Sequence, residues 1–222
     1  EKNLISRSLA YTAEILLAFN LDEERDRITR HQFINEVLAR PQTYSAEERK
    51  QLEKTKRMHS LPDSLFHPIK SRDYRTKISL GIIHVNQNGR DTQRVCLRLR
   101  TKIDLPPEEV LAFEWLKGGR VSSQTAYQDS SMLRRDIVDP QDHSYVFHVV
   151  SDIQAGVLTP REFINRVIWE KATPDVFTCS FADVLPSTIQ PNPRLVLASS
   201  EVGIIYERVK DEKTDTQSTD MT

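Results

Sequence analysis

The sequence predicts an α+β protein in which a helical segment comes first and an antiparallel β-sheet follows. Apolar residues recur at every third or fourth position up to about residue 58, which is the period of a helix with one buried side. After about residue 70 the period falls to two, which is the period of a β-strand. The strands then follow one another without regular alternation with helices, and such runs favour an antiparallel sheet.

The helical segment is predicted to span residues 1–58 and to begin with one amphipathic helix. Its apolar stripe would face a core or cover an opening in the domain that follows. The stripe consists of Leu4, Ile5, Leu9, Thr12, Ile15, Leu16 and Phe19.

Two further helices are predicted within this segment. Thr29 and Gln32 form a capping-box pattern before an apolar run, and Pro41 ends that helix. Ser45 and Glu48 repeat the capping pattern and open a third helix, which is highly charged and has few apolar anchors. We therefore expect the third helix to be a solvated connection to the sheet.

The boundary with the sheet domain is predicted at residues 59–68, where prolines interrupt the helical pattern. Residues 78–82 and 94–103 alternate in polarity, as half-buried strands do. Asn88 and Gly89 between them tolerate positive φ, which a tight hairpin turn requires. The sequence thus predicts a β-hairpin at the start of a domain that extends to residue 209.

The remaining elements are one short helix and several strands. Pro107 suits a first helical position, and Gly118-Gly119 ends the apolar run that follows it. The last residues, 210–222, are polar and are predicted to form a disordered tail. Four further strands are predicted, at residues 145–150, 163–169, 176–184 and 195–209, the last either continuous or broken near residues 199–201.

The composition is that of a folded protein, with 38% hydrophobic and 28% charged residues. No run of about 18 apolar residues is present, and the start does not resemble a signal peptide, so we expect a cytoplasmic location. Cys96 and Cys179 form no CxxC pair, so reduced thiols are expected rather than a disulfide or zinc site. Because the chain begins with Glu1 rather than Met, we expect it to be a piece of a longer protein.

The charge is unevenly distributed although the formal net charge is only −1. Residues 65–103 contain nine Lys or Arg against two Asp, whereas residues 104–222 contain 11 basic and 19 acidic residues. Such a bipolar chain does not favour nucleic acid as a partner.

Several segments, in the right order, resemble a START domain, the StAR-related lipid-transfer module of the helix-grip, Bet v 1-like superfamily. RVCLRLRTKIDLPPEEVLAFEWL, residues 94–116, is similar to the family's strand followed by a helix with an acidic start. TPREFINRVIW, residues 159–169, resembles its proline-arginine-aspartate-aromatic motif, with Glu162 in the aspartate position. The flanking strands also fall in the family's order, as HSYVFHVV and DVFTCSFADV.

This resemblance covers about residues 60–209 and implies a helix-grip antiparallel sheet, one face of which lines an apolar cavity for a lipid or sterol. The family closes this cavity with a C-terminal helix that has no counterpart here. Either the chain stops before that helix, or residues 4–19 cover the opening.

The resemblance also implies which residues contact the ligand. Carried over by position, three polar residues would orient its headgroup: His148, Asn165 and Ser180. Residues expected to share their faces would form the apolar wall: Val146, Val150, Phe163, Val167, Thr178 and Ala182. The alternative is that all of these are ordinary core or surface residues of strands.

A row of cations lies on one face of the strand at residues 94–103, and comprises Arg94, Arg98, Arg100 and Lys102. The row predicts contact with an anionic membrane or an acidic protein. The alternative is a solvated sheet face or an edge protected by charge.

No metal site or cofactor is expected. Asp22, Glu24 and Asp26 alternate as in a calcium loop, but the central glycine and the bidentate glutamate are missing. The histidines never fall at metal-ligand spacing, and no catalytic signature occurs.

The leading hypothesis is therefore a non-catalytic module that binds a lipid or sterol for transfer or sensing. One rival is a protein-interaction or scaffold domain with a filled cavity, which would use the basic strand or the N-terminal helices. A second rival is a helix-grip enzyme, for which His148 is the candidate titratable group.

Overall fold

The computed structural model describes residues 24–71, 75–87, 90–116, 132–152, 158–184, 189–210 and 217–222. The predictions for residues 4–19, Asn88-Gly89 and Gly118-Gly119 lie outside these ranges.

Helices precede and interrupt the strands. The helical elements are α1 (Glu24–Phe33), a π-helical turn (Ile34–Leu38), α2 (Ala46–His59), a 3₁₀ turn (Asp63–Leu65) and α3 (Pro107–Trp115). The first strands are β1 (Phe66–Ile69), β2 (Thr76–Gln87), β3 (Arg90–Ile103), β4 (Met132–Val138) and β5 (Ser144–Ser151). The others are β6 (Arg161–Thr173), β7 (Val176–Asp183), β8 (Val196–Leu197), β9 (Val202–Lys210) and β10 (Gln217–Met221).

The strands form an open sheet in the order β1-β2-β3-β10-β9-β7-β6-β5-β4. The pairs β1·β2, β2·β3, β3·β10, β10·β9 and β4·β5 are antiparallel. The short strand β8 lies off this path and pairs with β6 in parallel. The predicted α+β class with an antiparallel sheet is confirmed.

The C-terminal residues depart from the prediction. Gln217–Met221 form β10, which pairs with both β3 and β9, so the expectation of a disordered tail is wrong for these residues. Thr219 is fully buried, and its hydroxyl donates a 2.6 Å hydrogen bond to the carbonyl oxygen of Leu105. A polar segment is ordered here because the exposed edges of two strands satisfy its backbone groups.

The chain divides into two compact units. The first unit comprises Glu1–Gln42, Glu108–Val167 and Phe181–Glu201, and the second comprises Thr43–Pro107, Ile168–Ser180 and Val202–Thr222. Helix α2 thus shares a unit with β1, β2 and β3, whereas the sequence suggested a boundary at residues 59–68.

The capping box that the sequence predicts at the start of α2 is confirmed. The Ser45 backbone N–H donates to Glu48 Oε2 at 2.8 Å, and the Glu48 N–H donates to Ser45 Oγ at 3.2 Å. The helix is not a solvated connection, since Leu52 and Thr55 are buried. By contrast, α1 begins at Glu24, before the predicted cap at Thr29.

Each unit has its own buried aromatic residues. In the first unit Trp115 of α3 stacks against Phe33 with ring centroids 6.5 Å apart, and it packs on Tyr145 in a tilted arrangement with centroids 4.6 Å apart. In the second unit Trp169, Phe177 and Tyr206 are almost completely buried. None of the described helices has the length and apolar content that crossing a membrane requires.

Candidate functional site

The second unit has an apolar sheet face on the side away from α2. A Cβ added at Gly203 in β9 would meet the Thr55 side chain, so position 203 faces the helix. Arg98 in β3 also points to that side, since it donates to the carbonyl oxygen of Met58. Side chains alternate along strands, so the flanking residues of β3 and β9 point the other way. Together with Leu80 and Ile82, the β2 partners of Leu97 and Val95, they form what we call the apolar face: Leu80, Ile82, Val95, Leu97, Leu99, Val202 and Ile204.

Part of the apolar face is open to solvent. Ile82 and Val95 are paired across β2 and β3 and are 56% and 72% exposed. Leu80 and Leu97, the next pair on this face, are half-buried. Contiguous exposed apolar residues of this kind mark binding sites for apolar groups more often than single exposed residues do.

Ser180 lies on the opposite side of the sheet, beneath α2. The Thr55 hydroxyl donates to Ser180 Oγ at 2.7 Å, and Gln51 Nε2 lies 3.2 Å from both Ser180 Oγ and the Ser180 carbonyl oxygen. Ser180 is 1% exposed. Its hydroxyl therefore joins α2 to β7 in the second unit.

Arg98 is held by the segment that follows α2. Its guanidinium group donates to Asp63 Oδ1 at 2.7 Å and to the Leu61 carbonyl oxygen at 2.9 Å. It also lies 3.8 Å from the centroid of the Phe66 ring, a cation–π distance. Arg100 donates to the same carboxylate at 2.9 Å. The two arginines lower the pKa of Asp63 below its ordinary value, with the Arg100 hydrogen bond as the largest cause.

A groove of about 460 Å³ lies beside Arg98, Arg100 and Asp63, which form part of its lining. None of the predicted ligand residues lines it. Its walls come from the 3₁₀ turn, β1, β2 and β3, and comprise Asp63, Phe66, Pro68, Ile69, Ser71, Thr76, Lys77, Ile78, Ser79, Arg98 and Arg100.

The four residues of the predicted row of cations therefore differ in burial and in their ion pairs. Arg98 is buried and Arg100 is paired with Asp63. Lys102 is exposed and lies opposite Asp220 of β10, while Arg94 is half-buried. The four residues do not form one uniform surface.

In the first unit His148 and Glu162 form a buried pair. His148 Nε2 lies 2.8 Å from Glu162 Oε1, and the Asn192 backbone N–H donates to Glu162 Oε2 at 2.8 Å. Asp136 Oδ2 lies 4.0 Å from His148 Nδ1. Glu162 thus connects β5, β6 and the segment before β8, and the histidine that the sequence assigned to a ligand has a carboxylate partner.

Asn165 belongs to a second polar cluster in the first unit. Its amide donates to Asp183 Oδ1 and to the Ser200 carbonyl oxygen, both at 3.1 Å. Asp183 also accepts from the Ser200 backbone N–H at 2.9 Å and from the Ser199 hydroxyl. The cluster fixes the end of β7 against the chain that precedes β9.

The predicted ligand residues are distributed over both faces of the sheet. Residues 162 and 165 differ by an odd number of positions, so His148, which contacts Glu162, and Asn165 lie on opposite faces. Phe163 and Val167 share the face of Asn165. Thr178 and Ala182 share the face of Ser180, which α2 covers in the second unit.

Sequence reasoning missed the acidic partners Asp63, Glu162 and Asp183. Each contacts its basic or amide partner across at least fourteen residues of chain. Glu162 belongs to a recognisable motif, but no neighbouring residue in the sequence indicates that it is buried beside His148. The residues around Asp63 indicate a turn, but they do not indicate which arginine binds its carboxylate. No group of three or more His, Cys, Asp or Glu side chains in the described ranges is arranged to hold a metal ion.

The open antiparallel sheet with helices places the chain in the helix-grip class of α+β folds. Human STARD10 has a similar structure, with a TM-score of 0.55 and 13% identity over 83% of this chain and 69% of that chain. Human StAR-related lipid transfer protein 5 has a TM-score of 0.54 and 11% identity over 79% of each chain. No family model matches the sequence, and no curated protein matches it. The chain has a START-like fold, as its short motifs suggested.

Proposed function

We propose that this protein binds one hydrophobic ligand, a lipid or a sterol, against the apolar face of the second unit, and that it carries or senses this ligand without catalysing a reaction. The observation that supports the proposal is the exposed pair Ile82 and Val95, on a sheet whose other side is covered by α2. Its fold is similar to that of a protein named for lipid transfer.

Burial of an apolar ligand would supply the binding free energy. Removing apolar surface from water contributes about 25 cal/mol per Å², or about 0.8 kcal/mol for each buried CH₂ group. A long acyl chain or a sterol ring system laid on Leu80, Ile82, Val95 and Leu97 would remove both its own surface and theirs from water.

Phe163, Asn165 and Val167 lie in the first unit and are not part of the site proposed on the apolar face of the second unit. Their predicted role as ligand contacts is tested by substituting each of them separately. His148, Thr178, Ser180 and Ala182 are not proposed further. His148 is paired with Glu162, and the other three point to the side that carries the contacts of Ser180 with α2.

The proposal is tested by native mass spectrometry of the purified chain, followed by organic extraction and identification of any bound lipid. A stoichiometric lipid or sterol supports the proposal. A bare chain that also takes up no lipid from phosphatidylcholine vesicles would refute it and favour the scaffold alternative.

A variant locates the ligand. Val95→Asp places a charge on the apolar face and should reduce lipid uptake, because the carboxylate would have to be buried with the ligand. Ile28→Asp is the matched control, since Ile28 is also exposed, at 52%, but lies in α1 of the first unit. Equal loss of uptake in both variants would contradict the assignment of the ligand to this face.

A further inference from the structure

The groove beside Arg98 has an excess of positive charge. Its lining includes three cationic side chains, Lys77, Arg98 and Arg100, and the single carboxylate of Asp63. Salt bridges join Asp63 to both arginines, so this one carboxylate serves two cations. The positive charge of Lys77 is left without an anion among the groove residues.

Lys77 and Arg100 are register partners on β2 and β3. Like charges directly opposite one another in a sheet are destabilising. The Lys77 side chain is exposed and makes no hydrogen bond or ion pair with any residue in the described ranges. Lys77 thus lies opposite a cation whose anion, Asp63, is shared with Arg98.

Asp63 shows how the groove residues hold an anion. Its carboxylate is largely exposed, yet it is bound by Arg98 at 2.7 Å and by Arg100 at 2.9 Å. Planar guanidinium groups bind carboxylates and phosphates in the same way. Arg98 also donates to the Leu61 carbonyl oxygen and is buried, so it stays with the protein, whereas exposed Arg100 can exchange Asp63 for another anion.

The surroundings favour a lipid surface over an acidic peptide. Leu65, next to this site, is 40% exposed, and Lys70 is exposed at the end of β1. Exposed apolar residues together with cations are typical of surfaces that lie on anionic membranes. A peptide would bind most readily by adding a strand to the outermost strand β1, but Pro68 removes a backbone donor there.

We propose that this groove binds the phosphate of an anionic membrane lipid, with Lys77 and Arg100 as its ligands and Asp63 as the internal anion that competes with it. The side chains of Lys77, Arg98 and Arg100 lie on the side of the sheet opposite the apolar face, and the site does not depend on a hydrophobic ligand being bound there.

The test is co-sedimentation of the full chain with phosphatidylcholine vesicles that do or do not contain phosphatidic acid. Lys77→Glu should weaken binding to the phosphatidic acid vesicles about tenfold, and Lys77→Gln should weaken it less. Asp63→Asn should strengthen it by about threefold, because Arg100 is released. Added salt should weaken binding of the unaltered chain.

Two matched controls separate the groove from net charge. Lys50→Glu reverses an exposed lysine of α2 that does not line the groove. Asp175→Asn removes an exposed carboxylate that pairs at 3.0 Å with the poorly exposed Arg208, as Asp63 does with Arg98. The affinity of both variants for the phosphatidic acid vesicles should lie within about twofold of that of the unaltered chain. Their altered charges lie outside the groove, and salt screens the effect of charges at a distance.

Several results would overturn the proposal. If both Lys77 variants fold, as measured by circular dichroism, and bind the phosphatidic acid vesicles as the unaltered chain does, the groove does not bind the lipid phosphate. An equal loss in Lys50→Glu would show that only diffuse charge matters. Binding of inorganic phosphate or of a polyglutamate peptide, without binding to phosphatidic acid vesicles, would show that the anion is not a membrane lipid. Lipid loading of the apolar face is measured separately by native mass spectrometry, so either proposal can fail alone.

Discussion

The hydroxyl of Thr55 donates a 2.7 Å hydrogen bond to the hydroxyl of Ser180, and this contact joins helix α2 to strand β7. Both residues are almost completely buried. Polar contacts between a helix and a sheet are specific, because each buried group needs a partner at one distance and angle. In the second unit α2 therefore covers one side of the sheet, and the residues of the apolar face lie on the other side.

Replacing Ser180 with Ala should lower the free energy of unfolding by about 1–2 kcal/mol, because the buried Thr55 hydroxyl loses its acceptor. Urea denaturation measures the change. Thr55→Val together with Ser180→Ala should cost less than the sum of the two single substitutions, since the double variant leaves neither hydroxyl unpaired. Simple additivity would contradict the assigned contact.

Replacing Gly203 with Ala should destabilise the protein by about 1–3 kcal/mol, because its Cβ would lie 2.5 Å from Thr55 Cγ2. The change is measured by the shift in the denaturation midpoint. Thr55→Ser removes that methyl group and keeps the hydroxyl, so it should partly rescue Gly203→Ala. Absence of rescue would place the strain elsewhere.

Stability should depend on pH through His59. Burial lowers the pKa of His59 below its ordinary value, and the nearby positive charges of Arg98 and Arg100 lower it further, while a hydrogen bond with the Gly203 backbone acts in the opposite direction. The unfolded chain therefore binds this proton more readily than the folded chain does. The contribution of neutral His59 is fully present above the unfolded pKa of about 6.5 and is lost as the pH falls below that value.

This dependence is isolated by comparing the unaltered chain with His59→Gln across that pH range. The difference in unfolding free energy between the two should change in favour of His59→Gln as the pH falls. A difference that stays constant with pH would show that His59 is not the responsible group.

Arg98→Lys should destabilise the protein by about 1–3 kcal/mol, because an ammonium group cannot reproduce the planar donors that reach Asp63 and Leu61. Arg100→Lys is the control. Its side chain is about half exposed and pairs with the same carboxylate, so its loss should cost below about 0.5 kcal/mol. Thermal unfolding followed by circular dichroism compares the two, and equal effects would contradict the importance of burial.

The sequence predicted those elements whose causes are local. The period-two alternation of β2 and β3 and the capping box of Ser45 and Glu48 each depend on residues within a few positions. The same is true of the helix that begins at Pro107 with Glu108 and Glu109 in its first turn. Such signals can be read without knowing the rest of the fold.

The faces of the strands could not be predicted in the same way. Along one strand the alternation is clear, but the phase of one strand relative to the next depends on pairing between distant residues. The START resemblance implies one face for His148 and Asn165, whereas the contacts with Glu162 and Asp183 put them on opposite faces. The strand β10 could not be predicted for a related reason. Its polar residues are stabilised by pairing with the edges of β3 and β9, which exist only in the folded sheet.

Ligand binding on the apolar face is tested most directly by loading the protein with a photoactivatable lipid, irradiating it and locating the modified peptides by mass spectrometry. Modification is expected in the strands that carry Ile82 and Val95, reduced in Val95→Asp and unchanged in Ile28→Asp. Modification confined to the α2 side of the sheet, or the absence of any modification in a chain that has taken up the lipid, would contradict ligand binding on the apolar face.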